Sequence, residues 1–120
     1  MMAMQIKILV IFAICMVFAS QKQANQSVLI FADKANNINV IQQINILKAD
    51  AKGIHGRDII YSVIIYSPGT IQQYKKWGVT NVPFTVILIG KDNGEKLRSH
   101  QPVSLTKLFD LVDNMPMRQQ

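Results

Sequence analysis

The chain has 120 residues, 49% of them hydrophobic and 17% charged. That is room for one domain with a packed core, and it excludes wholesale disorder. The 13 Lys and Arg against 7 Asp and Glu leave a net charge of +6, which suits anionic partners or simply a soluble, self-repelling surface.

The N-terminus carries Lys7, then an unbroken apolar run from Ile8 to Phe18, then Ala19 and the polar residues Ser20-Gln21-Lys22-Gln23. This pattern predicts a secretory signal peptide over 1–19, cut after Ala19, and a secreted or periplasmic protein. A retained membrane anchor is the rival, but the run is shorter than the ~20 residues a spanning helix needs. No stable membrane insertion is expected after cleavage. Cys15 is the single cysteine, and it leaves with the signal. The mature chain then has no thiol for a nucleophile, a redox pair or a zinc site. His55 and His100 are the two histidines and lack metal-ligand spacing. No metal and no cofactor are expected.

A polar tether is predicted over 20–26 and one domain over 27–120. Ser27 to Ala32 reads as a buried strand. Asp33 to Asn37 is a turn, with Asp33 or Asn36 as the helix cap. Val40, Ile44, Leu47 and Ala51 then share one helical face, and Gly53 is the natural stop. Ile59 to Tyr66 is β-branched and aromatic on both faces, which predicts a central strand covered on both sides. Ser67-Pro68-Gly69 breaks it, and Thr70 to Trp77 forms a short helix ending at Gly78. Phe84 to Ile89 is a second fully apolar strand. Lys91-Asp92-Asn93-Gly94 makes a hairpin turn, and Glu95 to His100 returns as an edge strand with one wet face. Ser104 caps a last helix whose stripe is Leu105, Leu108, Phe109, Val112 and Met115, with Pro116 beyond it.

The predicted order is β-α-β-α-β-β-α. The right-handed crossover rule makes the first two strands parallel, and the hairpin makes the last two antiparallel. The fold class is therefore α/β, a four-stranded mixed sheet with helices on both faces. That order is similar to the minimal thioredoxin layout. The segment from Tyr74 to Thr85 resembles the stretch that leads a thioredoxin into its cis-proline, with Pro83 at that proline's place. Read locally, Pro83 is an ordinary proline opening a strand, so both isomers of Val82–Pro83 stay open.

A closer resemblance lies in Phe84 to Ser99, Pro102-Val103-Ser104, the Leu108-Phe109 helix and Asp113 to Arg118. With Val28 to Ala32, these are similar to the family called domain of unknown function 4174. The resemblance implies a peroxiredoxin-like or thioredoxin-like fold in small secreted proteins, also found beside sushi repeats in extracellular proteins. It implies no established activity. A thioredoxin would place Cys-x-x-Cys around Ala35 to Ile38, and this chain has Ala35, Asn36, Asn37 and Ile38 there. Thiol oxidoreductase and peroxidase chemistry are thus not expected.

Two ligand sites are predicted. The first is the vacated active-site end: Asp33, Lys34, the start of the first helix, Pro83, Arg98 and His100. A helix N-terminus and an arginine suit an anion, and the peroxiredoxin resemblance offers Arg98 as the counterpart of an arginine beside the reacting thiol. The bland reading is a capped helix and a solvated edge charge. The second is the basic hairpin of Lys91, Lys96 and Arg98, with Arg118, which suits polyanions or merely protects a strand edge. Tyr74 and Trp77 read as core packing more than as a stacking platform. Nucleic acid is not expected, because no aromatic-studded basic surface is present. The preferred reading is a secreted, non-catalytic thioredoxin-like binding module for an anionic ligand or an extracellular partner protein. An enzyme of unrecognised type using the end around Arg98, and a structural accessory protein, are the alternatives.

Overall fold

The structure, a computed structural model, describes residues 24–80 and 83–115. The signal segment, Cys15, Pro116, Arg118 and the Val82–Pro83 peptide bond lie outside the described residues. Strand β1 spans Gln26–Ala32. Helices α1 (Ile38–Lys48) and α2 (Ala51–Gly56) follow. Strand β2 covers Ile59–Ile65, a 3-10 turn Pro68–Thr70, and helix α3 Ile71–Lys76. Strands β3 (Phe84–Ile89) and β4 (Glu95–Ser99) and helix α4 (Leu105–Asp113) complete the order.

The sheet runs β2-β1-β3-β4. β1 and β2 are parallel, while β3 is antiparallel to both β1 and β4. Side chains alternate between the two faces. On one face Val28, Ile30, Val86 and Leu88 pack with Val40 and Leu47 of α1, Ile54 of α2, and Leu108 and Val112 of α4. On the other, Phe31, Ile87 and Ile89 pack with Tyr74 of α3 and, beyond it, Trp77 and Val79. The fold is the predicted α/β sheet with helices on both faces. Among the described residues, no helix is long and apolar enough to cross a membrane.

Several local expectations are corrected. β1 begins at Gln26, which is buried rather than part of a tether, and its N–H donates to the Asp58 carbonyl at 3.0 Å. The single predicted helix is two. Asp50 takes a non-helical conformation and its Oδ1 accepts from the Gly53 N–H at 2.9 Å, capping a new helix. Ala51 is exposed at that start, and Gly53 lies inside α2. There it lets Phe109 approach, since a Cβ at Gly53 would stand 2.9 Å from the Phe109 ring. The α1 cap is Asn37, not Asp33 or Asn36. In the hairpin, Asn93 supplies the positive φ, at 68°.

The largest correction concerns β2. It is an edge strand, because the antiparallel β3 takes the other side of β1. Ile60, Tyr61 and Val63 are 50%, 36% and 38% exposed. The strand is apolar on both faces without being covered on both.

Candidate functional site

β1 delivers the chain to Asp33 at the sheet end where β3 begins. The Asp33 N–H donates to the Pro83 carbonyl at 3.1 Å, extending the Ala32–Phe84 register by one step. Asn37 stands between these residues and α1. Its Oδ1 accepts from the Asn39 N–H at 2.9 Å, which caps the helix. Its Nδ2 donates to Asp33 Oδ1 at 2.9 Å and to the Pro83 carbonyl at 3.2 Å. The same Asn37 amide holds the Asp33 carboxyl below its ordinary value of 3.8, with the Asp33 and Lys34 backbone N–H groups adding to it. Asp33 is therefore a carboxylate at neutral pH, placed before a helix N-terminus whose dipole favours it.

A cleft of about 410 Å³ opens beside Asp33, lined by Tyr66, Ile71, Tyr74, Lys75 and Val79. Tyr74 anchors it. The Tyr74 hydroxyl lies 2.9 Å from the Ala32 carbonyl and 3.0 Å from that of Ile64. Burial pushes its phenol above the ordinary 10.0, which keeps the group a donor. Its ring meets Phe31 edge-on at 4.9 Å and Tyr66 edge-on at 5.1 Å. Tyr66 is 54% exposed. The cleft thus has one fixed aromatic ring, one exposed aromatic ring, an apolar lining, the Asp33 carboxylate and the Lys75 ammonium group.

The structure brings Asp33 and Pro83 together. His100 lies at the same sheet end, with Nδ1 3.2 Å from Thr85 Oγ1 and 3.3 Å from the Phe84 carbonyl. Lys34 is exposed, and its carbonyl accepts from the Asn37 N–H at 3.2 Å. Arg98 does not join them. Its guanidinium is forked onto Glu95 at 3.0 and 2.7 Å, and it donates to the Gly78 carbonyl at 3.2 Å and to the Trp77 carbonyl. It ties β4 to the end of α3 and offers no clamp toward Asp33. The hairpin cations are matched as well: Lys91 pairs with Asp58 at 3.0 Å and Lys96 with Asp92 at 2.7 Å.

Sequence reasoning missed Asn37, Tyr66, Ile71 and Val79 as site residues. Only Asn37 had a local signal, since it directly precedes the first apolar helical residue. The others meet through the fold. No described residue is a cysteine, and among the described residues no group of three or more His, Cys, Asp or Glu could hold a metal.

The sheet order and the helices on both faces define a thioredoxin-like fold. Solved structures agree on that fold. The chain is similar to a reduced 2-Cys peroxiredoxin of Plasmodium vivax at 11% identity and a TM-score of 0.60, covering 79% of each chain. It is similar to thioredoxin-2, a component of the malaria parasite protein secretion machinery, at 21% identity and a TM-score of 0.58, covering 76% of this chain and 84% of that one. A further malarial protein matches at 21% identity and a TM-score of 0.54, over 74% and 94% of the two chains. Residues 17–120 match the family described as Domain of unknown function (DUF4174), and the chain belongs to that family. No curated protein matches it.

Proposed function

We propose that this is an exported, non-catalytic binding module that holds an extended segment of a partner protein in the cleft beside Asp33. The observation that carries this reading is the Asp33–Asn37–Pro83 cluster. At the helix N-terminus, where an anion would need free N–H groups, Asn37 supplies the cap and Asp33 supplies a negative charge. An incoming anion meets a like charge there. The hairpin offers little alternative, because Lys91, Lys96 and Arg98 each face a carboxylate. A cleft with an exposed tyrosine, an apolar lining, the Asp33 carboxylate and the Lys75 ammonium group offers both signs of charge, and so suits an extended peptide with an apolar side chain flanked by polar or charged ones better than a bare anion. The partner reading is therefore preferred to the anionic-ligand one.

The test is fluorescence anisotropy with extended peptides that pair an apolar residue with Lys, Arg or Glu. Asp33→Asn should weaken the basic peptides about two- to fivefold and the Glu peptides not at all. Tyr66→Ala should weaken all of them. If both variants bound every peptide as the parent does, the cleft would not be the site. Export has its own check: the N-terminus of the protein recovered outside the cytoplasm should be Ser20.

A further inference from the structure

The two edges of this sheet are built differently. β4 carries Glu95, Lys96 and Arg98, and its pairing with β3 shifts register between Leu88 and Ile89. Charges and irregularities of this kind keep a strand edge from accepting another strand. β2 has neither. It is seven residues long, Ile-Ile-Tyr-Ser-Val-Ile-Ile, with no charge and no proline, and its pairing with β1 is regular. It is neutral in a chain of net charge +6, so a second copy can approach here without placing like charges opposite each other.

Among the described residues, no strand covers the backbone on that edge. The Tyr66 N–H donates to the Ala32 carbonyl at 2.8 Å. The N–H and C=O of one strand residue point the same way, so Ile60, Ser62 and Ile64 direct theirs to β1. Tyr61 and Val63, between them, direct theirs outward, and among the described residues no strand pairs with that side. The Ile65 carbonyl, next along that side, accepts from Thr70 Oγ1 at 2.7 Å, so the 3-10 turn closes the far end.

The strand also reads almost the same in both directions about Ser62. Antiparallel pairing on a two-fold axis at Ser62 sets Ile60 opposite Ile64 and Tyr61 opposite Val63, and stops short of Ile65, whose carbonyl the turn already occupies. That register is the one the backbone directions require. Tyr61 and Val63, which both face outward, become a pair that exchanges N–H···O=C bonds. Ser62 meets its own copy in the closer, non-hydrogen-bonded spacing. Tyr against Val is a favourable aromatic and β-branched cross-strand pair.

We propose that the outer edge of β2 is a self-association surface, on which a second copy of this chain adds its own β2 antiparallel about Ser62 to form one continuous sheet with two-fold symmetry. A closed, isologous pair consumes both open edges and leaves β4 as the protected edge at each end.

The test uses the full-length chain with Cys15→Ser, so that one introduced thiol is the only one. Ser62→Cys should cross-link into a disulfide dimer on mild oxidation, because the two Ser62 Cα atoms would lie about 4.5 Å apart. Ile60→Cys is the control. Its two copies would sit about 14 Å apart, four residues along at ~3.4 Å per residue and one strand spacing across, so it should cross-link at least about tenfold more slowly. Sedimentation should give a mass twice that of the chain, and Val63→Lys should shift the monomer–dimer midpoint at least about tenfold upward in concentration. Near-ultraviolet circular dichroism checks that Val63→Lys is folded; Tyr61→Lys replaces it if it is not. Equal cross-linking of the two cysteine variants would overturn the proposal. So would a parent chain that stays monomeric up to about 100 µM, which is also the result expected if this edge takes a strand from a different protein.

Discussion

At the scale of single residues, Asn37 joins three parts of the site. One side chain caps α1, fixes the Asp33 carboxylate and holds the Pro83 carbonyl. Replacing it with alanine should cost about 1 kcal/mol through the lost cap alone. The pH dependence separates the cap from the carboxylate. In the folded protein the Asp33 carboxyl is lowered from 3.8, with the Asn37 hydrogen bond as the largest cause. Such a group contributes stability above its unfolded value, and that contribution is lost as pH falls through the folded value. Asn37→Ala removes the main cause. The stability gap between parent and variant should be widest near neutral pH and narrow as acid protonates Asp33 in both. Urea denaturation at neutral pH and through the acid range measures it. A gap that stays constant with pH would assign the whole effect to the backbone cap.

At the scale of elements, two side chains clamp the helices to their surroundings, and neither was visible in the apolar pattern. Arg57, just after α2, forks onto Asp113 at the end of α4 at 2.9 and 3.1 Å, and its guanidinium lies 3.8 Å over the Phe109 ring. Gln43 is fully buried on α1, where a helical stripe calls for an apolar residue. Its amide donates to the Val103 carbonyl at 3.0 Å and accepts from the Val103 N–H at 2.7 Å. It thereby does for the loop before α4 what a strand partner would do. Gln43→Leu keeps most of the volume but leaves both Val103 groups buried and unpaired, at about 1–3 kcal/mol each. The expected loss is about 2–6 kcal/mol, read from the denaturation midpoint at unchanged slope. A neutral result would mean that water reaches the Val103 groups and the glutamine is dispensable.

At the scale of the whole molecule, the relative directions of the strands and the hairpin were legible because they follow from chain connectivity. A helix between two strands makes them parallel, and Asn93-Gly94 makes the next pair antiparallel. The edge position of β2 was not legible. Apolar periodicity reports which faces a strand offers, and says nothing of whether another strand lies beside it. Asp33 and Pro83 were legible as a pair through the family resemblance, whereas the place of the Arg98 side chain was not, since spacing along β4 does not tell which carbonyls a long guanidinium will reach. The last helix shows the reverse case, in which one stripe of residues was enough. Leu108 and Val112 are fully buried, and Leu105, Phe109, Leu111 and Met115 pack against the same core. Burying each large apolar side chain is worth about 1.5–3 kcal/mol, and removing α4 also exposes the sheet face of Val28, Ile30, Val86 and Leu88. Together these losses match or exceed the ~5–15 kcal/mol by which a small domain is stable. A chain ending at Val103 should therefore show no cooperative thermal transition and no near-ultraviolet circular dichroism. Leu108→Ala, by contrast, should remain folded and lose about 2–5 kcal/mol. If the truncated chain melted cooperatively, the core would have to rest mainly on α1, α2 and the opposite face, and α4 would be an accessory to a sheet that holds without it.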